Sequence, residues 1–301
     1  MKKVVIKLVG FVFFIVFVLL SRRFFDWAFL KEQILTILDK PFYLLAMTIG
    51  YGLAFGFRAL AWQRYLNKDI SFSLYLYALF YSLLANHLLP IKAGDAVRVG
   101  YLAKKGKMTW DEVLNSVIFV RIVDIVILGF IAGVGTVLLG IPVTLRWSVL
   151  VTILFILFVV LLLCIFTGIR KFYYLGKHLK IIKTAFAGTN GIIIFAQSLI
   201  SWLLEASVIF FLTMALSLDV SIFDGVWANS TTIIGQIFHF TPGGIGTYES
   251  IMGFTLVKVG VSWQDAYSAA ILSHGFKFVF SYLVGLWVFL VSPYKISLPK
   301  W

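Results

Sequence analysis

Two pairs of ionisable residues lie three positions apart inside apolar stretches: Arg121 with Asp124, and His274 with Lys277. A spacing of three puts each pair on one face of a helix. A charge at mid-membrane costs roughly 2.5–3.5 kcal/mol on insertion scales, so such side chains point inward toward a partner or a bound ion. Guanidinium, ammonium and imidazole groups gathered this way would hold an oxyanion through charge-assisted hydrogen bonds. Arg121 and Asp124 could also simply neutralise each other. Lys277 has no acid within one turn, so a distant helix must supply its partner. Glu205, inside another apolar run, is a candidate partner for Lys277 or for Arg58. Counting Arg58, Arg121 and Lys277 against Asp124 and Glu205 leaves one positive charge in excess, with histidine neutral.

A second feature is the run Pro242-Gly243-Gly244-Ile245-Gly246. Its glycines allow a sharp turn and a close approach of backbone to a ligand. A half-helix starting just beyond would point free N–H groups and the positive end of its dipole at an anion. A plain turn is the simpler alternative. Glu249 and Asp95 either cap the short helices that follow the two breaks or take part in binding the substrate. His87 and His239 precede the breaks near Pro90 and Pro242. A lone intramembrane histidine is usually a packing residue, though its titration near neutral pH leaves a proton-relay role open.

These residues recur at fixed distances. His87 and His239, Pro90 and Pro242, and Gly94 and Gly246 are each offset by 152. Trp110 and Trp263, and Arg121 and His274, are offset by 153. A duplicated element in an apolar chain is characteristic of transporters that build one site between two repeats.

The composition sets the environment. The 301 residues are 61% hydrophobic, with a mean hydropathy of +1.00, more apolar surface than a soluble core needs. The formal charge of +13 would suggest nucleic acid in a soluble protein. In an apolar chain it reads instead as the cytoplasmic Lys and Arg excess that orients membrane proteins, and no nucleic-acid partner is expected. Cys164 is the only cysteine and the four histidines lack metal-ligand spacing, so no disulfide, metal or other cofactor is expected. The N-terminal apolar run lacks a small-x-small cleavage pattern and is read as an uncleaved first helix.

Six segments are expected to span: 4–20, 41–62, 112–139, 147–168, 191–217 and 266–291. Segments 70–107 and 222–262 each hold an apolar leg, a Pro/Gly break and a short second leg, and read as re-entrant hairpins. With the N-terminus inside, the inner loops carry 17 Lys and Arg against 6 outside, counting Arg98 among the inner ones. That bias predicts both termini in the cytoplasm. The expected fold is an all-α polytopic membrane protein forming one domain, 1–301. It divides into two inverted repeats, about 1–145 and 146–301, each of three transmembrane helices plus one hairpin.

The chain resembles the lysylphosphatidylglycerol synthase transmembrane-region family, often called flippase-like. The resemblance rests on Asn86-x-x-x-Pro90-x-x-x-Gly94-Asp95-x-x-Arg98, on Arg121-x-x-Asp124 and on Pro242-Gly243-Gly244-x-Gly246-x-x-Glu249. Family members usually have Glu where this chain has Val120, and often Arg near His274. The resemblance implies a translocator of aminoacylated phosphatidylglycerol or a related lipid. In bifunctional members that domain is joined to a soluble transferase domain; with Trp301 just past the last expected helix, the expectation from the resemblance is the translocating half alone.

The combined expectation is a transporter in the cytoplasmic membrane, moving a membrane phospholipid or a polyprenyl-phosphate lipid. Its binding residues would be Arg58, His87, Arg121, Asp124, Glu205, His239, Pro242, Gly243, Gly244, Gly246, His274 and Lys277. A partner synthase or glycosyltransferase on another chain, and a homo-oligomer, are compatible with it. The alternatives are a membrane-embedded enzyme transferring a sugar from a polyprenyl-phosphate donor, and a scaffold for a partner enzyme. The scattered Asp124, Glu205 and Glu249 favour transport over catalysis.

Overall fold

The computed structural model describes residues 26–89, 93–141, 189–236 and 241–294. The spans expected at 4–20 and 147–168 lie outside the described residues, as do Pro90, Lys92 and His239. The described part is helical. Helices α1 (Trp27–Leu38), α2 (Pro41–Leu66), α3 (Phe72–Leu88), α4 (Gly94–Lys105) and α5 (Trp110–Leu138) come from the first half. Helices α6 (Thr189–Glu205), α7 (Ser207–Ala215), α8 (Ile222–Gly235), α9 (Thr247–Lys258) and α10 (Trp263–Val291) come from the second. Four stretches are long and apolar enough to cross a membrane: Pro41–Leu66, Trp110–Leu138, Asn190–Ala215 and Trp263–Val291. Their lipid-side residues explain the many exposed large side chains, Phe42, Phe130 and Leu290 among them.

The repeated Thr/Ser-Trp-x-acid motif has a structural purpose. Thr109 Oγ1 accepts from Glu112 N at the start of α5, and Ser262 Oγ accepts from Asp265 N at the start of α10. Each hydroxyl satisfies one of the unpaired N–H groups at a helix start. Both helices run 29 residues, or about 43 Å at about 1.5 Å per residue, enough to cross a ~30 Å hydrocarbon core. Arg121 and His274 therefore sit at equal depth along equal helices.

Each half also contains a broken helix pair. Helices α3 and α4 pack together, and Gly94 N donates to Asn86 Oδ1 at 2.9 Å. A Cβ at Gly94 would overlap the Ser82 carbonyl and the Asn86 amide, so only glycine allows this approach. In the second half the chain turns through Pro242–Gly244 between α8 and α9, which also pack together. Gly243, Gly244 and Gly246 have φ of 62°, 81° and 87°. Only glycine adopts such angles without strain. Thr241 Oγ1 donates to the Ile245 carbonyl across the turn at 2.6 Å.

The halves interlock. Helix α2 packs along α6, α5 along α8, and α10 against α3. At three helix crossings, α2–α7, α5–α8 and α10–α3, a glycine of one half receives a side chain of the other: Gly50 faces Ser207, Gly135 faces Trp227, and Gly285 faces Leu84. A Cβ at any of them would overlap its partner.

Candidate functional site

A polar cavity of about 170 Å³ lies where the two halves meet. Its ionisable lining comes from α2 (Arg58), α3 (His87), α4 (Arg98), α5 (Arg121, Asp124), α6 (Glu205) and α10 (His274, Lys277). Eight elements contribute to its wall, because the breaks after α3 and α8 bring short helices beside the long ones.

Glu205 joins the halves. One carboxylate oxygen accepts from Lys277 Nζ at 2.9 Å, and the other accepts from Arg58 Nη2. All three side chains are largely shielded from solvent. Lys277 Nζ also donates to Asn229 Oδ1 at 3.3 Å and lies over the rings of Tyr51 and Tyr248. The Arg58 guanidinium stacks 3.9 Å from the Trp202 ring centre. The aromatic faces thus supply the cations with an electron-rich wall that does not consume their charge.

The bonded partner of Arg121 is Asp95, not Asp124. Arg121 Nη2 donates to Asp95 Oδ1 at 2.9 Å and Nε donates to Oδ2 at 3.2 Å. Asp124 Oδ2 is 4.0 Å from Arg121 Nη1, and its Oδ1 accepts from Trp202 Nε1 at 2.9 Å. Asp124 therefore orients the indole on which Arg58 stacks. The reason is reach: α4 places Asp95 in front of the Arg121 fork, where two parallel bonds form.

Arg98 also moves. Read from sequence as a cytoplasmic loop charge, it is 3% exposed and lines the cavity. Its guanidinium lies over Trp62, 5.4 Å from the ring centre.

At the glycine turn, Glu249 Oε2 accepts from Gly246 N at 2.6 Å and so caps α9, the first of its two sequence readings. Its Oε1 accepts from His274 Nδ1 at 2.6 Å, and His274 Nε2 faces the Gly243 carbonyl at 3.1 Å. The N-cap N–H of α9 is thus occupied by Glu249 rather than free for a ligand. His274 stacks on Tyr248, and its ring centre is 6.3 Å from that of His87. His87 Nδ1 contacts the Leu83 carbonyl at 2.9 Å.

Of the residues singled out from sequence, Arg58, His87, Arg121, Asp124, Glu205, Gly243, His274 and Lys277 line one cavity. Gly244 and Gly246 shape the turn but are not in its wall, and of Pro242 only the backbone is described. Sequence reasoning passed over Arg98, Trp202, Tyr51, Tyr248 and Asn229. Asp95 and Arg98 did carry a signal, an acid–base pair three apart like Arg121 and Asp124. The charge of the surrounding loop hid it. Among the described residues no group of His, Cys, Asp and Glu is arranged to hold a metal ion.

Apolar helices of spanning length closed around an ionisable cavity define a multi-pass helical membrane protein. The chain belongs to the family described as the lysylphosphatidylglycerol synthase TM region, whose sequence profile matches residues 5–285. It is similar to a protein of Methanocaldococcus jannaschii named UPF0104 membrane protein MJ1078, 25% identical over 198 residues. That match covers 62% of this chain and 85% of the relative. No solved structure matches.

Proposed function

We propose that the protein is a lipid flippase-like transporter that moves a phosphate-bearing lipid across the cytoplasmic membrane. The observation that carries this reading is the charge of the cavity. Arg58, Arg98, Arg121 and Lys277 line it against Asp124 and Glu205, an excess of two positive charges with histidine neutral. Asp95, paired with Arg121, reduces the excess to one. A phosphate headgroup leaving water needs charge-assisted donors, which these cations offer in a water-poor setting. Membership of a family described by a lysylphosphatidylglycerol synthase membrane region supports a lipid substrate.

In this reading the pairs α3–α4 and α8–α9 are re-entrant hairpins entering from opposite faces, and the halves are inverted repeats. Broken helices at a repeat interface are where such transporters place their substrate. The Lys and Arg bias orients both termini to the cytoplasm.

The test is dithionite quenching of a fluorescent anionic phospholipid in proteoliposomes, with a zwitterionic lipid as control. Wild type should translocate the anionic lipid, and Arg121→Ala and Lys277→Ala should lose most of that activity while still inserting. Equal rates for wild type and Lys277→Ala would reject the site. Transfer of a sugar to lipid without translocation would favour the enzyme alternative.

A further inference from the structure

Arg98 carries guanidinium donors that the described residues leave without a hydrogen-bond acceptor. Its Nη2 lies 2.9 Å from Asp95 Oδ1, yet it lacks the alignment of a hydrogen bond. Among the described residues, neither Nε nor Nη2 of Arg98 has an acceptor. Asp95 is shared by both arginines, but it hydrogen-bonds Nε and Nη2 of Arg121 and forms only an ion pair with Arg98. Arg58 shows the same shortage: it gives Nη2 to Glu205, and its buried Nε has no acceptor. Buried guanidinium N–H groups without acceptors are costly, so these donors call for an acceptor that the described residues of the wall do not supply.

We infer that Arg98 is an anion-binding residue of the cavity and seats a tetrahedral phosphate oxyanion, for which Asp95 acts as the internal competitor. This rests on the reading that the cavity is the substrate's. A guanidinium presents its donors as a planar fork that matches two phosphate oxygens at once. At about 170 Å³ the cavity is smaller than the ~300–1,000 Å³ of drug-sized ligand sites. It has room for a phosphate and its nearest substituent, not for a whole lipid. The phosphate enters the cavity while the glycerol and acyl chains stay outside. Asp95 is more than a third exposed, unlike the buried Arg98 beside it. It can yield its place without a buried carboxylate being stranded.

The test measures the rise in thermal unfolding temperature of the detergent-solubilised protein. The probes are dihexanoyl phosphatidylglycerol, inorganic phosphate and, as a phosphate-free control, dihexanoylglycerol. The phosphatidylglycerol should stabilise wild type and the surface variant Lys68→Gln equally. Arg98→Gln should need at least tenfold more of it. Asp95→Asn should need several-fold less, because both arginines are released to the ligand; a merely structural Asp95 would not give this gain. If Arg98→Gln does not fold, Asp95→Asn decides alone. Inorganic phosphate acting as well as the lipid would identify a free oxyanion as the occupant; a requirement for the lipid would identify the headgroup. An unchanged response in Arg98→Gln, weaker binding in Asp95→Asn, or no response to either phosphate probe would overturn the inference. Arg98-dependent binding without translocation would instead reject only the transport reading. Translocation unaffected by Arg98→Gln would reject only the seat.

Discussion

Glu205 and Lys277 stand 72 residues apart in the chain and 2.9 Å apart in the fold. With Arg58 on the other carboxylate oxygen, this one acid bridges a cation from each half. Removing one member of a buried ion pair typically costs roughly 3–5 kcal/mol, because a charge is left without a partner. Glu205→Gln strands two cations, whereas Lys277→Met leaves Glu205 still paired with Arg58. We expect Glu205→Gln to lower the thermal unfolding temperature in detergent further than Lys277→Met. The opposite order would mean that the carboxylate is not the hub.

Asp124 acts through Trp202 rather than through Arg121. Asp124→Asn keeps a carbonyl oxygen for the indole N–H and should cost little stability. Asp124→Leu leaves that N–H buried and unpaired, at a cost of about 1–3 kcal/mol. Trp202→Phe should remove most of the difference between the two variants. A double-mutant cycle read by thermal unfolding checks this.

The glycine turn is braced by an aromatic ring. A Cβ at Gly243 would overlap the ring of Phe278, and its φ of 62° lies in the left-handed region. Gly243→Ala should therefore destabilise by more than the roughly 1–2 kcal/mol of backbone strain alone. Adding Phe278→Ala should recover the steric part and leave the strain. If the double variant is no better than the sum of the singles, the ring does not set the turn.

Hairpins entering from opposite faces would put Lys105, at the end of α4, and Lys258, at the end of α9, on opposite sides of the membrane. In a Cys164→Ser background, single cysteines at these two positions should react with an impermeant maleimide from opposite sides. Labelling from the same side would reject the inverted arrangement.

Much of this site was legible in the chain because helix geometry is local. Arg121, Asp124, His274 and Lys277 could be placed on shared faces from spacing alone. Lys277 lacks a nearby acid, which pointed to a distant partner such as Glu205. The Arg121 partner was not legible in the same way. Asp95 lies 26 positions away on another helix, and its position just past Gly94 suggested a cap. Only the close packing of α4 against α3, set by Gly94, decides where that carboxylate points. Arg98 was misplaced for a related reason: its neighbours Lys104 and Lys105 give the segment a loop's charge, while helical periodicity turns Arg98 inward. The end of α5 at Leu138 and the start of α10 at Trp263 fall within a few residues of the expected limits. Caps and apolar runs mark such boundaries locally.

The glycine notches at Gly50, Gly135 and Gly285 act as mechanical keys. Each locks a protruding side chain of one half into a recess of the other, on three separate crossings. Axial sliding of any of these helix pairs would drive the protruding group into the Cβ of the next residue. Tilting about the seated group meets no such stop. A motion of one half against the other would therefore meet more resistance as sliding past the notches than as tilting about them, and it would have to carry or break the Glu205 bridge.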